Sequence, residues 1–225
     1  GANQQEGAAL ISSWTPHWAT TVGGSFYRWP GIEAQKLNAS ISGRLAKWGT
    51  LILGGAAARD FGVIPRNEVF FSYDAGWRVA NPFLQGMEMD YEQHWYWYRG
   101  ARILALNETT TAYFPHDWMW SARITGARSQ FSFTAPGWTP AGFTKIGFPI
   151  KRFENRKLEG NLFFATGTEN YSQVDQIGHF SSHTYGGGLR WQVASMQDVS
   201  GFTGYQQRSG DRNEISFGFS YGVRF

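Results

Sequence analysis

The feature that most limits the fold of this chain is a strict two-residue alternation that persists far longer than a soluble strand needs. In EISFGFSYGVRF (214–225), every second residue is large and apolar: Ile215, Phe217, Phe219, Tyr221, Val223 and Phe225. Between them stand Glu214, Ser216, Gly218, Ser220, Gly222 and Arg224. Successive side chains of a strand point to opposite faces, so this period predicts a strand with one apolar and one polar face. NEVFFSYDAGWRV (67–79) repeats the pattern, setting Val69, Phe71, Tyr73 and Trp77 against Glu68, Ser72, Asp74 and Arg78. QGMEMDYEQHWYW (85–97) does so again, with Met87, Met89, Tyr91, Trp95 and Trp97 against Glu88, Asp90, Glu92 and His94.

Strands of soluble sheets average about 5 to 6 residues, and these segments are twice as long. A strand that crosses a bilayer needs about 9 to 11 residues at a tilt near 45°, which is the length observed. Glycines and turn clusters divide the chain from 17 onward into about twelve such segments, an even number as expected of bacterial single-chain barrels. Short connections (KWG, ANPF, PHD, ENRK, ASMQD) alternate with longer ones, of which SFTAPGWTPAG (132–142) and NYSQVDQIGHFSS (170–182) are the longest. Trp14, Trp18, Trp29, Trp48, Trp77, Trp95, Trp97, Trp118, Trp120 and Trp191 fall near predicted strand ends, where interfacial girdles are expected.

The fold class read from these patterns is all-β: a transmembrane antiparallel up-and-down β-barrel of about twelve strands. Residues 17–225 are expected to form the single barrel and 1–16 a periplasmic N-terminal segment, with both termini periplasmic. Composition agrees with this and removes alternatives. Aromatics make up 17% of the chain, yet mean hydropathy is only −0.38. The best apolar run, GTLILGGAAA (49–58), is half the roughly 20 residues of a membrane helix. Cysteine is absent, which excludes disulfides, thiolate metal sites and cysteine nucleophiles. A net charge of +3 without long basic runs gives no reason to expect nucleic acid. The opening GANQQEGAALIS has no signal-peptide pattern, so the sequence is expected to be a mature form.

A barrel in lipid must turn its charges inward, so the polar rows name the candidate lumen: Arg44, Glu68, Asp74, Arg78, Glu88, Asp90, Glu92, His94, Arg123, Glu159, Arg190, Glu214 and Arg224. Glu88, Asp90 and Glu92 form an acidic ladder on one strand. Opposed by arginines on other strands, it would set up a transverse field that orients a polar permeant. Phe70, Tyr96 and Phe163 are expected to narrow or close the passage. Trp138, in a stiff predicted outer loop, could stack on a sugar or fold in as a lid. DQIGHFSSH places Asp175, His179, Ser181, Ser182 and His183 on another predicted outer loop. No GxSxG, HExxH, P-loop or GxGxxG pattern accompanies them, so neither catalysis nor a metal is expected, and no cofactor.

The stretches TTVGGSFYRWPG, AARDFG, GMEMDYEQ and GDRNEISFGFSYGVRF give the chain a resemblance to YaiO-type outer-membrane β-barrels, relatives of the barrels of exopolysaccharide secretion proteins. A last strand ending on Tyr221 and Phe225 resembles the carboxyl-terminal signature of bacterial outer-membrane barrels. The resemblance implies an outer-membrane location, contact with lipid and lipopolysaccharide, insertion by the barrel-assembly machinery through the C-terminal strand, and a place beside a polysaccharide or surface-assembly system. The function expected is a narrow channel or export pore for a polar solute or polysaccharide. The alternative is a sealed structural barrel that anchors a larger envelope complex.

Overall fold

The computed structural model describes residues 4–29, 32–59, 64–131, 137–153, 156–168, 181–208 and 213–223. Its strands are β1 (Gln4–Ser13), β2 (Trp18–Trp29), β3 (Ile32–Arg44), β4 (Thr50–Arg59), β5 (Asn67–Arg78), β6 (Gly86–Trp97), β7 (Ala101–Tyr113), β8 (Met119–Phe131), β9 (Gly137–Phe153), β10 (Arg156–Thr168), β11 (Ser181–Ala194), β12 (Gln197–Arg208) and β13 (Glu214–Val223). Every strand pairs antiparallel with its sequence neighbours alone, in the order β1 to β13. The all-β, up-and-down architecture expected from the alternation is therefore the one observed. Short 3₁₀ turns at Ala46–Trp48 and Pro115–Asp117 make two of the tight connections.

Two boundaries differ from expectation. Residues 4–13, read as part of a segment ahead of the barrel, form β1 and pair along their whole length with β2, from Gln4↔Arg28 to Ser13↔Ala19. The sheet thus has thirteen strands, and it is open between β1 and β13 among the described residues. An odd count also places residues 4 and 223 at opposite ends of the sheet. The second difference is β9, which begins at Gly137, so Trp138 stands in a strand opposite Arg128 and not in a loop.

The register sorts side chains as the alternation requires. One face carries Leu37, Leu53, Ile124, Leu162, Leu189 and the β13 row of Ile215, Phe217, Phe219, Tyr221 and Val223, all exposed, with Phe217 at 86% and Phe219 at 76%. Tryptophans flank this apolar surface. Trp14, Trp18, Trp48, Trp77, Trp118, Trp120 and Trp191 are exposed at the end of the sheet that holds the short turns, and Trp138 at the other. The opposite face is polar and better covered, with Glu68, Ser72, Asn107, Ser121, Thr125 and Ser129 buried.

The sheet curls toward that polar face. Lys36 on β3 reaches Glu68 on β5, and Arg123 on β8 reaches Glu92 on β6, each across an intervening strand. At the end away from the short turns, Ile64 between β4 and β5 is fully buried against Tyr27 and Ala34, and Tyr96, Ile103, Ala105 and Ala127 form a second buried cluster. Two buried apolar clusters therefore occupy the inner face of β2–β8 at that end. A β-bulge separates Leu158 from Glu159, which oppose Lys151 and Pro149 with Ile150 left over on β9. At the short-turn end, Asp117 pairs with both Arg152 and Lys157, stapling the β7–β8 turn to β9 and β10. The Lys157 hydrogen bond, followed by the nearby cationic charge, holds the Asp117 carboxyl below the usual carboxylate range.

Gly49 ends the turn before β4 at φ +110°, and a Cβ there would lie 2.0 Å from the Asp74 carbonyl oxygen. Only glycine fits this approach of turn to β5. Gly49→Ala is expected to destabilise the fold by about 1–3 kcal/mol, read as a lowered midpoint of reversible urea unfolding followed by tryptophan emission.

Candidate functional site

The inner face of β3–β8 holds a continuous chain of charged side chains. Even-numbered positions on β5 and β6 share this face because the register pairs Glu68↔Tyr96, Phe70↔His94, Ser72↔Glu92 and Asp74↔Asp90. β7 and β8 join it through Glu92↔Asn107 and Asn107↔Thr125. The Lys36 Nζ lies 3.0 Å from Glu68 Oε2. Glu68 Oε1 is 3.2 Å from His94 Nδ1, and His94 Nε2 is 3.9 Å from Glu92 Oε2. Arg123 then pairs with the same Glu92 carboxylate, to which the Asn107 amide also donates at 3.4 Å. Thr125 donates to Asn107 Oδ1 at 2.6 Å and closes the network on β8.

This arrangement is ordered by alternation of sign. Glu68 sits between Lys36 and His94, Glu92 among His94, Arg123 and Asn107, and His94 presents one ring nitrogen to each carboxylate. Groups so paired offset the cost of leaving bulk water. A stack of rings braces the imidazole: Phe70 and His94 are 5.2 Å apart, His94 and Tyr96 5.4 Å, and Tyr96 and Tyr98 6.4 Å. Phe70 lies over Gly54, where a Cβ would meet its ring at 2.4 Å. Phe70 and Tyr96 therefore line the wall of β4–β6, and Tyr96 belongs to one of the two buried clusters.

The predicted acidic ladder is present on one face but is not opposed by a row of arginines. Among the described residues only Glu92 of the ladder pairs with an arginine. Asp90 accepts from the Ser72 hydroxyl at 3.0 Å, and Glu88 accepts from the Tyr113 hydroxyl at 2.6 Å. Asp74 stands beside Asp90 in register. The other candidates are dispersed. Arg190 pairs with Asp198 at 3.2 Å and faces Glu159 across the ladder, near the short-turn end of β10–β12. Glu214 pairs with Arg208 at 2.8 Å at the opposite end of β12–β13. Arg44 and Arg78 close β3 and β5 at the short-turn end, and Arg224 lies outside the described residues. Sequence reasoning missed Lys36, Asn107 and Thr125, although Lys36 shares its parity with Arg44 on β3 and was legible on that ground.

A second feature occupies the other half of the inner face. Residues of β7 through β13 enclose a cavity of about 310 Å³, with Arg123, Thr125, Phe143, Phe163, Gln206 and Arg208 among its walls. Phe163, expected to narrow or close the passage, is one of the cavity's wall residues. Its ring lies along the wall, where a Cβ on Gly186 would meet it at 2.2 Å, and it reaches Gly204 on the next strand.

Of the other predicted loop residues, Asp175 and His179 lie outside the described residues. Ser182 is buried on the inner face, whereas His183 points to the apolar side, 2.9 Å from the Thr166 hydroxyl. Among the described residues no group of three or more His, Asp or Glu side chains is placed to hold a metal ion.

No family model matches the chain, and no curated protein matches it either. The YaiO resemblance thus has no support from those comparisons. Among solved structures the chain is similar to the beta domain of the Bordetella autotransporter BrkA, at 13% identity and a TM-score of 0.37, over 99% of this chain and 96% of that one.

Because Glu92 serves Arg123, His94 and Asn107 together, removing Arg123 leaves its partners underbonded. In a double-mutant cycle, Arg123→Met should cost more than Arg123→Met added to Glu92→Gln. The coupling expected from unfolding midpoints is about 1–2 kcal/mol.

Proposed function

We propose that this chain inserts in the bacterial outer membrane as a β-barrel and provides a narrow passage for a polar solute or a sugar polymer. The observation that carries the reading is the partition of side chains between the two faces: a broad apolar surface flanked by exposed tryptophans, backed by a face of paired charges, hydroxyls and a cavity of about 310 Å³. Apolar side chains at this density would aggregate in water and are stable against hydrocarbon. A 12-residue strand such as β5 is about 40 Å long at about 3.3 Å per residue, and tilted near 45° it rises about 28 Å, close to the roughly 25 Å apolar band of such barrels.

Hydrocarbon tolerates no unpaired strand edge, so the sheet closes on itself. β13 runs antiparallel to β2 but parallel to β1. The lipid-side row of β1 is Gln4, Glu6, Ala8, Leu10 and Ser12, without the apolar residues that β13 carries. We therefore place β2–β13 in the membrane as a closed twelve-stranded barrel, with β1 displaced from β2 on insertion. Leu10 and Val22 are register partners, so a Leu10→Cys/Val22→Cys pair should stay reduced under mild oxidation in bilayers. Rapid disulfide formation there would keep β1 in the wall and remove the twelve-stranded arrangement.

Surroundings consistent with this reading are phospholipid and lipopolysaccharide outside, and assembly machinery that recognises the last strand. The activity involves no catalytic step. A sealed barrel that docks an envelope complex is the competing reading, and the buried clusters at one end of β2–β8 favour it. Purified protein in planar bilayers separates the two. Small, stable conductance steps support the passage, and silence at all voltages supports the sealed form. The membrane face has its own test. Phe217→Arg should lower stability in vesicles by about 2–4 kcal/mol if the residue lies near mid-bilayer, whereas Ser216→Arg, one residue away on the wet side, should cost far less.

A further inference from the structure

The cavity of β7–β13 has a chemistry of its own, and we infer that it is a binding site for a neutral polyhydroxylated ligand, a pyranose unit held against the flat face of Phe163. This deepens the passage reading above and rests on it for access to the site.

The first support is the way the ring is set. Phe163 has glycines as lateral neighbours on two successive strands, Gly186 on β11 and Gly204 on β12. With no Cβ at either position, the ring is free to lie along the wall of β11 and β12, where it borders the cavity. Phe143 extends this surface, its ring 6.0 Å from that of Phe163 and inclined by 30°. A flat aromatic surface beside water is matched by a planar ligand with C–H groups on one side, and the axial face of a pyranose is such a surface.

The second support is the polar complement. Thr125, Thr184, Gln206 and Ser216 line the same space; Thr125 and Ser216 spend their protons on Asn107 and the Gly204 carbonyl and so face a ligand as hydroxyl acceptors, while the Thr184 hydroxyl can donate or accept.

The third support is charge. The cavity has three charged wall residues, Arg123, Arg208 and Glu214. Arg123 is paired with Glu92, and Arg208 with Glu214 at 2.8 Å. Among the described wall residues the two cations meet two carboxylates, so the charges that line the cavity are compensated. Lys145 faces Phe163 in register but is not part of the cavity wall. A volume of about 310 Å³ places the ligand in the size range of a mono- or disaccharide.

The test uses the whole chain in neutral-lipid nanodiscs, with cellobiose as probe and ligand-detected saturation-transfer NMR as readout. Gluconate and inorganic sulfate serve as charged competitors. Cellobiose should receive saturation, most strongly on its ring C–H protons, and neither anion should displace it. Phe163→Ala should weaken binding about tenfold. Thr184→Val, which removes a hydroxyl with almost no change of shape, should weaken it measurably and keeps the test open if Phe163→Ala does not fold. Phe164→Ala, on the adjacent residue that faces the apolar side, should leave binding unchanged. Absent saturation transfer, binding indifferent to both Phe163→Ala and Thr184→Val, or displacement by gluconate or sulfate would each overturn the inference. Conductance without sugar binding would reject this site and spare the passage. Sugar binding by a barrel silent in planar bilayers would reject the passage and spare the site.

Discussion

Every backbone N–H and C=O of this chain must find a partner, and almost the whole structure follows from meeting that demand between neighbouring strands. Thirteen strands joined only to their sequence neighbours satisfy the ladder with the shortest possible connections. The pleat then leaves no freedom in the placement of side chains: a residue belongs to one face or the other by parity alone. On the proposed reading the solvent on one face is hydrocarbon, so the same parity rule that makes the sheet also decides where charge can reside.

That sorting explains why the inner face carries so connected a set of ions. Excluded from the outside, the carboxylates of β5 and β6 are crowded onto one wall, where Lys36, His94 and Arg123 alternate with them. Contacts that jump an intervening strand, from β3 to β5 and from β6 to β8, favour the curled sheet over a flat one. The two halves of the interior then diverge. Bulky residues and Ile64 fill the space beside β2–β8, whereas repeated glycines on β11 and β12 hollow out the space beside β9–β13.

Strand existence and facing were legible wherever polar and apolar residues took strict turns, as in 67–79, 85–97 and 214–225. They were not legible in QQEGAALISS, where polar residues stand beside polar and Leu10 stands beside Ile11, so β1 gave no periodic signal. Nor were they at the start of β9, where Gly137 and Pro140 around Trp138 have the composition of a turn although the ladder with β8 runs through them. The partners of the charged residues were hidden for a different reason. Parity gives the face, but which residue stands beside which depends on turn lengths and bulges, and those set the register only in three dimensions. Hence Glu68, Glu92, His94 and Arg123 could be assigned to one wall without the order Lys36–Glu68–His94–Glu92–Arg123 being visible. The flat attitude of Phe163 was equally hidden, since it depends on glycines from strands later in the chain.

The bulge opposite Leu158 and Glu159 has an effect out of proportion to its size. By absorbing Ile150 it reverses the parity of the end of β9, so that Lys151 and Phe153 pass from the polar face to the apolar one, the ammonium resting over the phenyl ring at 4.8 Å. One surplus residue thus transfers a cation from the inside of the wall to its rim. On the proposed reading that rim meets the lipid headgroups, and the bulge then gives the molecule a fixed point of vertical anchorage that no change of residue type alone could have supplied.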